Sequence, residues 1–221
     1  YSLVSDASIG GLFLAGIIPG LLLAVGFLAV CNISARMRGF PYEKNPVNWG
    51  DMARRGFYAM PSLMLPVFVL IALRFGIATP TEISTIAVVY SMLASGLIYR
   101  DLTWARITKA LVFAGVATGV VLLLIMGSYA AGWVLTLEQI PDHFIEWAKG
   151  SFTSQAGVLL LMNMIMLVSG MFIDLPAAIL LLGPLFVPLA ESYQIDLIQL
   201  GIIMVVNLAI GLYTPPVGTT L

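Results

Sequence analysis

The sequence predicts an all-α polytopic membrane protein, and three observations carry that reading. Of its 221 residues, 60% are hydrophobic and only 10% are charged, where a soluble domain carries about 25% charged residues. Several apolar runs reach the roughly 20 residues that a helix needs to cross a bilayer. The strands of about 10 alternating apolar and polar residues that mark a transmembrane barrel are missing.

Taken in order, the first predicted helix covers about 10–33. A polar connector at 34–58 follows, with Arg36, Arg38, Lys44, Arg54 and Arg55. Within it, 47–57 reads as a short interfacial helix, because Trp49 and Tyr58 suit a membrane boundary. A second span covers about 59–73, with Arg74 at its far end, and a third covers about 80–99. Thr79, Pro80 and Glu82 predict a structural cap for the third span: Thr79 as N-cap, Pro80 at the first helical position and Glu82 at the third. Arg100, Arg106 and Lys109 lie in the next connector, and a fourth span covers about 110–137. The segment EQIPDHFIEWAKG, at 138–150, reads as an acidic loop. An apolar arm then runs over about 156–173, followed by Asp174-Leu175-Pro176 and a second arm to about 189. Glu191 and Asp196 mark a last connector before a final segment that starts near 198.

Positive residues orient these spans. Arg36, Arg38, Lys44, Arg54, Arg55, Arg100, Arg106 and Lys109 fall in the connectors after the first and third spans, against only Arg74 and Lys149 on the other side. The basic connectors are therefore expected in the cytoplasm and 138–150 outside. The second arm has about 13 apolar residues and holds Gly183, Pro184 and Pro188. It reads as short for a full crossing, which predicts a re-entrant helical hairpin over about 156–190 that enters from outside. Short Pro/Gly-interrupted segments of this kind point to a transporter's binding site.

The final segment carries NLAIGLYTPPVGTT at 207–220. Proline has no N–H and clashes with the carbonyl four residues before it. Pro215 and Pro216 are therefore expected to release the carbonyls of Gly211 and Leu212 and to break the helix over about 198–221. The hydroxyls of Thr214, Thr219 and Thr220 lie nearby, and oxygen ligands of this kind suit a hard cation. Half-helix N-termini at such a break would also favour a carboxylate. A proline kink patched by neighbouring helices is the alternative. Asp174 is the one acid inside an apolar region; it reads either as a functional charge or as the cap of the helix beginning near Pro176.

Other residues exclude more than they assign. Cys31 is the only cysteine and His143 the only histidine, so no internal disulfide can form and a metal site has no supporting pair. Trp49, Trp104, Trp133 and Trp147 fall near span ends and read as interfacial anchors. No P-loop, metalloprotease motif or nucleophile–base pair supports an enzyme. The net charge of −1 says little about partners, and with no basic patch no nucleic-acid partner is expected.

The segments GLFLAGIIPGLLLA, FGIATPTEISTIAVVYS, GWVLTLEQIP, GMFIDLPAAILLLGPLFVPLAE and GIIMVVNLAIGLYTPPVGT resemble, in order and spacing, the large membrane subunit of tripartite ATP-independent periplasmic (TRAP) transporters. The resemblance implies an elevator-type secondary transporter of two inverted repeats, of which this chain supplies one, the C-terminal half. It implies Na+ as the coupling ion and no organic cofactor. A small membrane subunit, a periplasmic substrate-binding protein and membrane lipid are the implied partners. The implied location is the cytoplasmic (inner) membrane of a bacterium or archaeon, and the implied cargo an organic acid. Set on this sequence, the sodium ligands would come from Gly170, Asp174, Gly211, Leu212 and Thr214. Substrate contacts would come from Asn207, Pro215, Pro216, Gly218 and Thr219. Residues 1–150 would be scaffold and 151–221 the transport region.

The first residues, YSLVSDASIG, hold no Met and no signal pattern, so the sequence is expected to be a piece of a longer protein whose first repeat lies outside it. A proton-coupled or binding-protein-independent exchanger, with Asp174 as the proton carrier, and a non-transporting membrane scaffold are the competing readings.

Overall fold

The computed structural model describes residues 1–40 and 48–215, and every regular element among them is helical. In chain order these are α1 (Ser2–Ser5), α2 (Ile9–Ala15), α3 (Ile17–Met37), α4 (Trp49–Arg74), α5 (Pro80–Leu93), a π-helical turn (Ala94–Ile98), α6 (Trp104–Leu137), α7 (Ile140–Ser151), α8 (Gln155–Gly170), α9 (Leu175–Ser192) and α10 (Leu197–Gly211). Five described stretches are long and apolar enough to cross a membrane: Ile9–Met37, Trp49–Arg74, Pro80–Ile98, Trp104–Leu137 and Leu175–Ser192. The chain forms a multi-pass membrane protein, and it packs as two compact units.

One unit comprises residues 16–109. Its long helix α4 corrects the sequence reading, which divided this stretch into an interfacial helix and a separate span. The helix runs unbroken through Pro61 and Pro66. Asn48 starts it by accepting a bond from the Gly50 amide at 3.1 Å. Tyrosines tie α4 to the following elements: the Tyr90 hydroxyl donates to the Pro61 carbonyl at 2.7 Å, and that of Tyr99 donates to the Tyr58 carbonyl at 3.0 Å. The Tyr58 and Tyr99 rings meet edge to face at 5.1 Å. At the start of α5 the Thr79 amide donates to Glu82 Oε2 at 2.7 Å while the Glu82 amide donates to Thr79 Oγ1 at 3.4 Å, which is a capping box.

The second unit joins residues 1–15 to those from 110 onward. These packing units follow contact, and the division drawn at residue 150 follows role, so the two need not coincide. The chain first passes between the units at Gly16, where the expected first helix is interrupted. Pro19 explains the break, because it has no N–H for the Ala15 carbonyl four residues back and its ring crowds that carbonyl. The helical segment on the N-terminal side of this break packs on the later helices through glycines. A Cβ on Gly201 would lie 2.6 Å from the Tyr1 ring, and one on Gly183 would lie 2.7 Å from Val4.

The core of this unit is built from helices α7 to α10. Val158, Met162 and Met166 line one face of α8 at four-residue spacing, opposite Leu200, Met204 and Leu208 of α10, with Phe186 and Leu189 from α9. All are fully buried. The acidic segment expected as a loop is instead the amphipathic helix α7. Its Ala148 enters the core, and Phe144, Trp147 and Phe152 form an aromatic run beside it. Helix formation there follows from the 3–4-residue spacing of Phe144, Ile145 and Ala148, a pattern that the acidic side chains masked.

Candidate functional site

Helices α8 and α9 form an antiparallel hairpin. Its open end is tied by Gln155 Nε2, which donates to the Tyr193 and Gln194 carbonyls at 3.4 and 3.3 Å, and by the Tyr193 hydroxyl, which donates to the Phe152 carbonyl at 2.8 Å. The second arm is longer than its apolar count suggested. Pro184 and Pro188 lie inside a continuous helix of 18 residues, which at about 1.5 Å per residue spans roughly 27 Å. The shortness that favoured a re-entrant path for this arm is therefore corrected. The first arm, with 16 residues, is the shorter one.

At the tip, Met171, Phe172 and Ile173 turn the chain by donating to the Val168 and Ser169 carbonyls. None of these bonds uses the Gly170 carbonyl. Asp174 occupies the N-cap position of α9 in extended backbone, and its own carbonyl accepts from the Ala178 amide at 2.9 Å. Its carboxylate makes no capping bond and is exposed. Asp196 shows the contrast: as N-cap of α10 its carboxylate accepts from the Gln199 amide at 2.9 Å. The side chain of Asp174 thus does not do the capping work that its sequence position suggested.

The last helix stops at Gly211, four residues before Pro215, whose missing N–H withholds the helical donor from the Gly211 carbonyl. The carbonyl expected to be free at Gly211 is not. The chain tightens by one residue and the Thr214 amide donates to it at 3.0 Å, the short-turn bonding common at helix ends. The Thr214 hydroxyl donates to the Ile210 carbonyl at 2.7 Å, which leaves its oxygen lone pairs as acceptors. Leu212 follows Gly211 as the C-cap, and Pro215 is exposed. Pro216, Gly218, Thr219 and Thr220 lie outside the described residues.

Hairpin tip and helix break meet backbone to backbone. A Cβ on Gly211 would lie 2.6 Å from the Gly170 carbonyl carbon and 2.9 Å from its oxygen. Conversely, a Cβ on Gly170 would lie 3.2 Å from the Leu208 backbone. Both glycines are buried. This is the close approach that only glycine permits. The C-terminal ends of α8 and α10 therefore converge, and each carries the partial negative charge of its last carbonyls. The structure thus brings Gly170, Gly211 and the turn leading to Thr214 together, with Asp174 on the hairpin side.

Asn207, expected as a substrate contact, lies between α8 and α10. Its amide nitrogen donates to Asn163 Oδ1 at 2.6 Å and to the Asn163 carbonyl at 3.1 Å, across the α8–α10 interface. Asn163 in turn donates to the Leu159 carbonyl at 2.7 Å. Asn207 Oδ1 is buried and makes no bond among the described residues. Sequence reasoning missed Asn163, although an amide inside an otherwise apolar arm is the signal that could have found it. Thr79, Pro80 and Glu82 lie at the start of α5, where they cap a helix. Among the described residues no cluster of three or more His, Cys, Asp or Glu could hold a metal.

The whole chain, residues 1–221, matches the family model described as "Tripartite ATP-independent periplasmic transporter, DctM component". It is 49% identical to the uncharacterized protein y4mL of Sinorhizobium fredii, over all of this chain and 53% of that protein. It is 38% identical to the C4-dicarboxylate TRAP transporter large permease protein DctM of Pseudomonas aeruginosa, over all of this chain and 52% of the relative. It is 33% identical to the sialic acid TRAP transporter large permease protein SiaM of Vibrio cholerae, again over all of this chain and 52% of the relative. The chain spans about half the length of these curated relatives. Together with the helical fold, the match over every residue places this chain in the tripartite ATP-independent periplasmic transporter family, as a DctM component.

Proposed function

We propose that this chain forms part of a sodium-coupled importer of an organic acid in the cytoplasmic (inner) membrane. It would work with a small membrane subunit and a periplasmic binding protein that delivers the substrate. The observation that carries this reading is the convergence of two helix C-termini at Gly170 and Gly211. Paired negative helix ends, a carboxylate free of capping duty at Asp174 and the Thr214 oxygen favour a hard monovalent cation there. The substrate class is supported by the relatives named for C4-dicarboxylates and sialic acid. Leu212 and Thr214 would complete the ion ligands. Asn207, Pro215, Pro216, Gly218 and Thr219 would contact the substrate. The remaining half of the site would come from chain outside this sequence.

Reconstituted uptake by the full-length protein and its partners tests this. The expected result is accumulation of an organic acid that needs an inward sodium gradient and the binding protein. Uptake that persists when the sodium gradient is collapsed would overturn it. The free carboxylate of Asp174 also suits a proton carrier. In that case Asp174→Asn abolishes the pH dependence of uptake, whereas with sodium coupling it changes the sodium dependence.

A further inference from the structure

The second hairpin arm contains a gap in its own bonding. Pro184 has no N–H, so the Leu180 carbonyl, four residues earlier, has no helical donor. Ser128 of α6 fills that role: its hydroxyl donates to the Leu180 carbonyl. One turn further along α6, Gly132 receives the Pro184 ring, to which a Cβ there would approach no closer than 3.6 Å. A cavity of about 320 Å³ opens beside this contact, between α1, α6 and α9, with Leu3, Val4, Tyr129 and Trp133 in its walls. The neighbouring Gly183 sits against Val4.

We infer that Ser128 is a positioning residue for the hairpin: it supplies the hydrogen bond that Pro184 withholds and so fixes the register of α9 against α6. Leu180 lies six residues from Asp174 in the same helix, so this register also sets where the tip stands. In the apolar interior a carbonyl without a donor is costly, and a neighbouring Ser hydroxyl is one of the groups that can satisfy it. The same serine in a helix without the proline would have no such task, and that difference provides the test.

The experiment uses the full-length protein purified in detergent with three variants, Ser128→Val, Ser128→Thr and Ser128→Val on a Pro184→Ala background. Melting and hydrogen exchange of the 175–183 backbone are the readouts. Ser128→Val is expected to lower the melting midpoint by roughly 1–2 °C and to speed exchange in 175–183. Ser128→Thr, which keeps the donor, is expected to match the natural protein. On the Pro184→Ala background, where residue 184 regains an N–H for Leu180, Ser128→Val is expected to change neither readout. Equal behaviour of the Val and Thr variants would overturn the inference, as would an equal effect of Ser128→Val on both backgrounds. If Pro184→Ala does not fold, the Val–Thr comparison decides alone.

Discussion

In α3 and α6 none of the most apolar 18-residue window is buried, whereas in α9 39% of it is. All three are apolar enough to cross a membrane, yet they meet different demands. The long helices present Leu22, Leu28, Leu123 and Trp133 outward, toward lipid or other protein. The hairpin and α10 turn their side chains on one another and place glycines and asparagines at the contact. Lipid is as apolar as leucine, so hydrophobicity alone cannot hold membrane helices together; close packing and interhelical hydrogen bonds must do so. Chemistry is therefore to be sought where small and polar residues interrupt the apolar pattern and those interruptions meet.

Glycine substitutions should break this comparison most strongly. Gly211→Leu places a side chain inside the Gly170 backbone and is expected to separate the hairpin from α10, with loss of folded protein and of uptake. Even Gly211→Ala is expected to cost more than the 1–3 kcal/mol typical of overpacking, because the obstacle at 2.6 Å is backbone. Gly115→Ala and Gly119→Ala on α6 meet nothing within 4 Å and should leave the yield of monodisperse protein unchanged in size-exclusion chromatography.

The asparagine pair comes next. Asn163→Leu is expected to destabilise the protein by about 0.6 kcal/mol, the average for interhelical hydrogen bonds in a membrane protein, and by no more than about 1.7 kcal/mol. Asn207→Leu should cost less, because it also removes the unbonded Oδ1. Thermal melting of both variants reads the difference, and a larger effect at Asn207 would count against the described orientation of the pair.

The two aspartate N-caps sharpen the comparison at the smallest scale. Asp196→Ala loses a side-chain cap and should cost about 1 kcal/mol. Asp174→Ala loses none and should stay within about 0.5 kcal/mol of the natural protein, as a surface change does. Its effect is expected in the ion dependence of uptake. A stability loss at Asp174 equal to that at Asp196 would return it to a capping role.

Much of the fold was legible because hydropathy and capping are local signals. Thr79 and Glu82 announced their box three residues apart, and the proline at 215 announced the end of α10 four residues earlier. The misreadings share a cause as well. Prolines 184 and 188 read as interruptions of the second arm, but a helix continues through proline when neighbours satisfy the freed carbonyls, and neighbours are a tertiary property. Pro19 did interrupt its helix, and it went unread because the surrounding run is so apolar. The acidic side chains of α7 hid an amphipathic helix. Gly170 and Gly211 were singled out in the sequence and do meet, but the Asn163–Asn207 bond joins residues 44 apart, and no local pattern predicts it.

Hydrogen exchange of the full-length protein in proteoliposomes, compared in sodium and in choline, tests most directly whether the hairpin tip and the helix break form one cation site. Segments 168–175 and 208–215 are the ones to follow. Sodium is expected to slow exchange in both segments together, with the same concentration dependence, and Asp174→Asn is expected to weaken that response in both. Protection of only one segment, or of neither, at saturating sodium would contradict a shared site.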